Sequence, residues 1–307
     1  MSVTASLIAE SGSTGPASHH RAEPFPPSAL PGRRGRSSVR LGWSLGFLVP
    51  GLLLFAWEGA GRFGLASSNL LPPPSTVAGA ILDLAATGEL ALHVATTLQR
   101  VFLGFLTGAL VGTILGALTG YAPVARRLVD PVLQSLRSVP SFAWIPLFIL
   151  WFGIFESSKV ALIAVGVFFP VYLNLMSGIE GVDRKLVEVG RVYNLGAAAL
   201  IRRVLLPATL PAYVIGLRSG LGLGWMFVVA AEFMGASEGL GFLLVDGQMT
   251  GRPQIIIASI LWFATLGKLT DFALARLGQR LLHWQDSFGA EGRRNGDADR
   301  RARFQTV

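Results

Sequence analysis

The chain contains no cysteine among its 307 residues, and only 14% of its residues are charged. Without cysteine, disulfide frameworks, thiolate metal sites and a cysteine nucleophile are all excluded. The low charge accompanies an apolar content of 51% and a positive mean hydropathy of +0.55. This balance lies outside the composition of an ordinary soluble domain and favours a membrane protein.

The chain also lacks the sequence signals of a metalloenzyme or an ATPase. Only His93 and His283 lie outside the N-terminal tail, both at the edges of apolar segments, and no HExxH string occurs. The nearest approach to a phosphate-binding loop is Gly267-Lys268, where Leu269 stands in place of the required Ser or Thr. We therefore expect no catalytic residue, no metal and no cofactor on this chain, so any ATP has to bind a partner.

Long apolar segments dominate the chain instead. A membrane-spanning helix needs about 20 mostly apolar residues. The pattern predicts an all-α membrane protein with about six transmembrane helices. The predicted spans are Leu41–Trp57, Val101–Ala125, Ser138–Phe155, Val160–Ile179, Pro211–Phe233 and Pro253–Leu277.

Basic residues outnumber acidic ones, 26 against 18, but they gather at the chain ends and in short connections. They share no solvated face, so binding to nucleic acid is not expected. Because Lys and Arg in short loops resist translocation, both termini and the connection 181–210 are predicted to be cytoplasmic. The predicted organisation is a disordered cytoplasmic tail (1–40), a first span with an extracytoplasmic connection (41–92), a core (93–285) and a second tail (286–307).

Two rows of glycine recur at every fourth position, one in the second predicted span and one in the fifth. Such a row forms a stripe without side chains, along which another helix packs closely in a membrane. Helix packing is the expected role, and the pattern does not distinguish a static contact from a sliding one. The glycines are Gly104, Gly108, Gly112, Gly116 and Gly120, then Gly216, Gly220 and Gly224.

The connection 183–211 is too long and too patterned for a simple turn between spans. Asp183 is placed to cap an amphipathic helix, and Asn194 and Gly196 are able to end that helix in the left-handed conformation. Its apolar face is predicted to carry Leu186, Val189 and Tyr193, and the opposite face Arg184, Glu188 and Arg191. A second short helix and Pro207 then lead to the fifth span. The pattern predicts a cytoplasmic helix-turn-helix between spans four and five.

This connection resembles the EAA loop of binding-protein-dependent ABC importer permeases, because Glu188, Leu206 and Pro207 fall on that frame. Two departures are Gly190, where the family usually has Ala, and Asn194, where it usually has the turn Gly. The strings WFGIFESSK, GVDRKLVEVGR and VVAAEFMGA resemble the nitrate, sulfonate and taurine branch, most closely the aliphatic sulfonate permeases. The resemblance runs from about residue 41 to about residue 286.

The resemblance implies a multi-pass permease of the bacterial inner membrane, coupled to a separate ATP-binding subunit and served by an extracytoplasmic solute-binding protein. It also implies a pair of permease chains, with a homodimer as the working assembly. The expected cargo is an aliphatic sulfonate, with taurine, nitrate or another small solute as alternatives. The residues implied in coupling are Glu188, Gly190, Tyr193, Asn194, Leu195, Gly196 and Pro207.

Polar residues within the predicted spans are candidates for the solute path. Arg218 and Glu232 are the charged candidates, and Tyr172 and Asn174 are the uncharged ones. Snorkelling and pairing at the span ends is the alternative, with Asp271 expected to pair with the lysine one turn before it. An ion-coupled secondary transporter is a further alternative, but the inverted repeats of that class are not found in the sequence.

Overall fold

The computed structural model describes residues 39–64 and 70–283, which form helices and no strand. The predicted tails lie outside these residues, except that a helix has already begun at residue 39. A 3₁₀ turn covers Ser141–Trp144 and a π-helical segment covers Ile201–Leu205. In chain order the α-helices are α1 (Val39–Arg62), α2 (Pro74–Ala86), α3 (Glu89–Tyr121), α4 (Pro123–Ser138), α5 (Ile145–Phe152), α6 (Glu156–Glu180), α7 (Arg184–Val192), α8 (Ala197–Leu200), α9 (Leu206–Glu232), α10 (Leu240–Met249) and α11 (Pro253–Leu281).

The first predicted span lies within α1. The chain divides into two compact units between Gly51 and Leu52, and this boundary falls within α1. Beyond this boundary, the Glu58 carboxylate accepts hydrogen bonds from the backbone N–H (3.0 Å) and the hydroxyl (2.8 Å) of Ser75. These bonds join the end of α1 to the start of α2.

Within the described residues, four helices are long and apolar enough to cross a membrane, and a bent pair makes up to five. The four are Glu89–Tyr121, Glu156–Glu180, Ala198–Glu232 and Pro253–Leu281. The predicted span Ser138–Phe155 is not one continuous helix, because only Phe142–Phe152 of it forms a helix, and this helix meets α4, which ends at Ser138, at an angle of 92°. Pro140 lacks a backbone N–H, and it holds the preceding Val139 in an extended conformation at φ −73° and ψ 123°.

The fifth predicted span begins earlier than its apolar pattern indicated. A separate short helix before Pro211 was expected, but residues 198–232 form one continuous helix of 35 residues. A π-helical turn precedes Pro207, with the Leu206 N–H donating to the Ile201 carbonyl. The structure therefore connects the 183–211 element to the far end of α9 without a break.

The helix α6 lies at the centre, between α3 and α9. A Cβ atom added at Gly112 of α3 would lie 2.9 Å from the Phe168 carbonyl oxygen, and one added at Gly116 would lie 2.9 Å from the Tyr172 carbonyl oxygen. On the other face of α6, a Cβ added at Gly220 of α9 would lie 3.1 Å from the Val167 carbonyl oxygen. Both neighbours of α6 approach its backbone so closely because glycine faces it. The remaining glycines of the two rows that contact α6 are Gly104, Gly108, Gly120, Gly216 and Gly224.

Candidate functional site

The 183–211 element begins with a capped helix. The Asp183 side chain accepts a hydrogen bond from the Lys185 N–H at 2.9 Å, which satisfies one of the free donors at the start of α7. At the other end of α7, Asn194 has a φ of 52°, the only left-handed non-glycine among the described residues. The Leu195 N–H donates to the Gly190 carbonyl at 3.0 Å and closes the turn.

The predicted left-handed conformation therefore belongs to Asn194. Gly196 does not share it. The Gly196 carbonyl accepts the Leu200 N–H at 2.9 Å and so belongs to the next helical turn. Gly196 is exposed, whereas Leu195 and Pro207 are half-buried.

Gly190 is the buried contact between α7 and the long helix 198–232. A Cβ atom at this position would lie 2.5 Å from Cδ1 of Leu200 and 3.6 Å from Cδ1 of Leu195. The residue that departs from the family pattern therefore allows a close approach of the two helices.

Several apolar side chains of α7 and its C-terminal end are exposed. Tyr193 and Val192 are 76% and 80% exposed, and Leu186 and Val189 are about half exposed. Glu188 is also exposed, but helix periodicity places it on the other side of α7 from Leu186 and Tyr193. We call these five residues the α7 face. Grouped apolar side chains at the surface of a protein mark an interaction site more often than they mark a free surface.

The predicted pairing of Asp271 is wrong. Its carboxylate binds Arg218 of α9 at 2.9 Å through two parallel bonds, not the lysine one turn before it on α11. Arg218 and Asp271 line an open groove of about 990 Å³ between α9 and α11, which also contains Ser219 and Gln279. The groove therefore has a charged and polar lining at this position.

The other predicted solute-path residues lie elsewhere. Tyr172 is fully buried, and its hydroxyl donates to Asp130 of α4 at 2.9 Å. The Asn174 amide donates to the Pro170 carbonyl of its own helix at 2.9 Å, and its Cβ lies beside Gly216. Within the described residues, neither side chain forms a hydrogen bond with Arg218 or Glu232. The four candidates thus do not form one cluster.

Glu232 lies at the end of α9 farthest from α7, about 20 Å along the helix from Arg218 at a rise of about 1.5 Å per residue. Its side chain is fully buried and accepts hydrogen bonds from Arg100 (2.8 Å), Thr97 (2.8 Å) and the Gly241 N–H (2.7 Å). Three hydrogen-bond donors offset the cost of removing this carboxylate from water. Glu232 is therefore the centre of a polar cluster.

Sequence reasoning missed most of this cluster. Arg100 is only 3% exposed, and besides Glu232 it binds both oxygens of Glu156 at 2.6 and 2.7 Å. Lys159 adds a second cation, 3.0 Å from Glu156. The sequence contained one indication of the cluster. Its four charged residues all lie beside apolar segments, on the side opposite the 183–211 element: Arg100, Glu156, Lys159 and Glu232. Their pairing depends on packing between helices far apart in sequence.

Comparisons with known proteins agree with this architecture. The family described as "Binding-protein-dependent transport system inner membrane component" matches residues 108–283. The putative aliphatic sulfonates transport permease protein SsuC of Bacillus subtilis (strain 168) is 42% identical over 258 residues, which cover 84% of this chain and 92% of that protein. The taurine transport system permease protein TauC of Escherichia coli (strain K12) is 33% identical over 246 residues, covering 78% and 89%.

A solved structure shares the fold. It is an inward-facing conformation of the MetNI methionine ABC transporter, with a TM-score of 0.53 over 66% of this chain and 97% of that chain. The sequence identity is only 20%, so this likeness concerns the arrangement of helices alone.

Proposed function

Because this chain belongs to the inner membrane components of binding-protein-dependent transport systems, in the sulfonate, taurine and nitrate branch of ABC importer permeases, we propose that it carries a small anionic solute into a bacterial cell. Transport is driven by ATP bound to a separate ATPase subunit. The solute is delivered by an extracytoplasmic binding protein. The permease spans the inner membrane several times and works as a homodimer by alternating access.

The α7 face is the observation that carries the coupling part of this proposal. Its four apolar side chains and the acidic Glu188 are all exposed at one end of a membrane protein. A capped start and a left-handed end fix the length of this short helix. A partner with a matching apolar groove and a basic residue would bury these side chains. The ATPase subunit is the partner that an ATP-driven permease without a nucleotide-binding loop requires.

The contact between Gly190 and Leu200 supplies the route for the mechanical signal. Leu200 belongs to the continuous helix 198–232, which passes beside α6 along the whole bundle. Closure of the ATPase subunits would displace α7, and the displacement would be carried by α9. The glycine rows of α3 and α9 that face α6 suit such a movement, because smooth helix surfaces offer few interlocking contacts.

An aliphatic sulfonate is the proposed cargo. Support comes from the 42% identity to a putative aliphatic sulfonate permease, while a taurine permease is 33% identical. Taurine is itself a sulfonate, so both relatives support the same anionic head group. Nitrate or another small solute is the alternative. Arg218, in the groove beside Asp271, is the proposed contact for the anion.

The test is uptake of labelled alkanesulfonate into proteoliposomes that contain the permease, its ATPase and its binding protein. We expect uptake to require ATP and to be lost in Glu188→Lys, because the reversed charge would repel the basic partner residue. Asp83→Lys is the matched control, since Asp83 is also exposed but belongs to α2, outside the 183–211 element. Both variants should insert and keep the thermal stability of the parent.

Binding of the ATPase subunit to each detergent-solubilised variant separates coupling from transport. Glu188→Lys should weaken this binding and Asp83→Lys should not. Normal uptake by Glu188→Lys would remove α7 from the coupling mechanism. Uptake without any ATPase would replace the proposed function by ion-coupled transport. Competition by unlabelled taurine and nitrate identifies the preferred anion.

A further inference from the structure

The start of α10 is capped by side chains from other helices. The first N–H groups of a helix have no partner within it, and a nearby side chain of the same segment usually accepts one of them. The residue before α10 is Gly239, which has no side chain to do so. Three acceptors from α3 and α9 take this role: His93 Nδ1 for Gly239 N–H (2.9 Å), Thr97 Oγ1 for Leu240 N–H (2.9 Å) and Glu232 Oε2 for Gly241 N–H (2.7 Å).

The close fit of α10 depends on glycine at two positions. Gly239 has a φ of 120°, and a Cβ there would lie 2.5 Å from Oε1 of Glu232. A Cβ at Gly241 would lie 2.6 Å from Cβ of Glu232. The backbone of α10 therefore approaches the Glu232 carboxylate directly. We call His93, Thr97 and Glu232 the α10 seat.

The seat keeps its own bonds when α10 is removed from it. Thr97 donates to Glu232 at 2.8 Å and Arg100 lies 2.8 Å from the same oxygen. Arg100 would give up its bond to the Glu238 carbonyl just before α10, but it retains both oxygens of Glu156. No charge would be left unpaired in a buried place, which is the costly outcome. The released N–H groups of α10 would bind water, as at any exposed helix start. Water is nearby, because the Glu156 side chain is 60% exposed.

One residue of the seat, Glu232, lies in the last turn of the helix that begins beside α7. Glu232 ends the continuous helix 198–232, and Leu200 at the other end contacts Gly190 of α7. A shift or rotation of this helix moves the Glu232 carboxylate relative to α3. Three hydrogen bonds of fixed direction hold α10 only while α3 and α9 keep one relative position.

We propose that α10 is a movable gate at the end of the bundle opposite α7, and that His93, Thr97 and Glu232 are positioning residues that hold it closed until α9 moves. The cause of that movement rests on the proposed function, whereas the holding contacts do not. An all-apolar contact would resist opening, because it would expose hydrophobic surface to water. The polar seat exchanges its bonds to α10 for bonds to water, whereas Leu240 and Leu243 of α10, buried in the hydrophobic core, add an apolar cost to opening.

The absence of cysteine from the chain makes the test direct. Leu243→Cys places a thiol on α10 at a side chain that is 5% exposed. A membrane-impermeant maleimide added to intact cells labels this thiol only when α10 leaves its seat. We expect slow labelling in this reporter chain, and labelling about tenfold faster when Thr97→Val is added, as expected for the loss of one to two buried hydrogen bonds.

Thr119→Val is the matched control in the same reporter chain. Thr119 is equally buried on α3, but its hydroxyl donates to the Leu115 carbonyl of its own helix, away from α10. Labelling in this control should match the reporter chain. Glu232→Gln, which keeps the size of the side chain but removes its charge, should also accelerate labelling. Equal labelling rates in Thr97→Val and Thr119→Val would overturn the proposed seat.

A second measurement tests the gate without altering the seat. The Leu243→Cys permease, assembled with its ATPase and binding protein in proteoliposomes, is labelled before and after trapping with ATP and orthovanadate. We expect trapping to increase the labelling rate. An unchanged rate in an assembly that still imports solute would leave the proposed function intact and would overturn α10 as its gate.

Discussion

Arg218 of α9 and Asp271 of α11 are joined by two parallel hydrogen bonds, from Nε to Oδ1 and from Nη2 to Oδ2, each 2.9 Å long. The two residues are 53 positions apart in sequence. Parallel bonds of this kind fix direction as well as distance, so they set the relative rotation of the two helices. Both side chains remain partly exposed in the groove that they line.

The first prediction concerns this ion pair. Arg218→Asp and Asp271→Arg should each lower the thermal stability of the purified protein, because each places like charges together. The double variant should recover most of the loss, with a coupling energy of about 1 kcal/mol. Thermal unfolding in detergent measures all four forms of the double-mutant cycle. Purely additive losses would show that the pair has no role in holding α9 against α11.

Uptake by the double variant separates structure from transport. The swapped pair restores the bridge but moves the cation from α9 to α11. If Arg218 contacts the anion, the double variant should regain stability without regaining uptake. Recovery of both would assign Arg218 a role in helix packing alone.

The second prediction concerns the glycine row of α3. Gly112→Ala should destabilise the protein, because its Cβ would lie 2.9 Å from the Phe168 carbonyl oxygen and the backbone of α6 is unable to move aside. We expect a loss of about 1–3 kcal/mol. Gly222→Ala is the control, since nothing lies within 4 Å of its added Cβ. Detergent unfolding midpoints compare the two, and an equal response would rule out close α3–α6 packing as the reason for the row.

Local patterns predicted the helices and their faces well. Asp183 caps α7, Asn194 takes the left-handed conformation, and the apolar segments lie in helices, since each depends on residues close in sequence. The bend at Pro140 was missed because the predicted span was extended back to Ser138 on hydropathy, although Pro140 lies inside it. The mean hydropathy of a segment does not indicate where a proline removes a backbone N–H.

The partners of buried charges were not predictable in the same way. Glu232 was recognised as a polar residue in a span, but its partner Arg100 is 132 residues away. Arg218 was given no partner, and Asp271 was given a neighbour on its own helix. Sequence spacing identifies pairs on one helix, whereas the structure pairs residues on helices that meet only after packing.

The third prediction concerns the end of α7. Asn194→Gly should preserve stability and uptake, because glycine adopts a φ of 52° without strain. Asn194→Val should lower uptake strongly, since a β-branched residue resists this conformation by about 1–2 kcal/mol, enough to reshape an exposed turn. Uptake at equal amounts of membrane-inserted protein is the measurement. Full uptake by the valine variant would contradict the need for a fixed α7 end.

The fourth prediction concerns the side chain that should bind the ATPase most strongly. Tyr193 is 76% exposed on the α7 face, and buried tyrosines at interfaces often dominate binding energy. Tyr193→Ala should weaken ATPase binding by about 2 kcal/mol, which is roughly thirtyfold in Kd. Because the side chain makes few contacts within the chain, thermal stability should hardly change.

Tyr121→Ala is the matched control for this prediction. Tyr121 ends α3, is 57% exposed and carries the same side chain, but it lies outside the α7 face. Titration of each detergent-solubilised permease with the ATPase subunit gives the two dissociation constants. A large loss in Tyr193→Ala with no change in Tyr121→Ala would locate the docking contact on α7. Equal losses in both would mean that the contact extends beyond α7, and no loss in either would place it elsewhere on the chain.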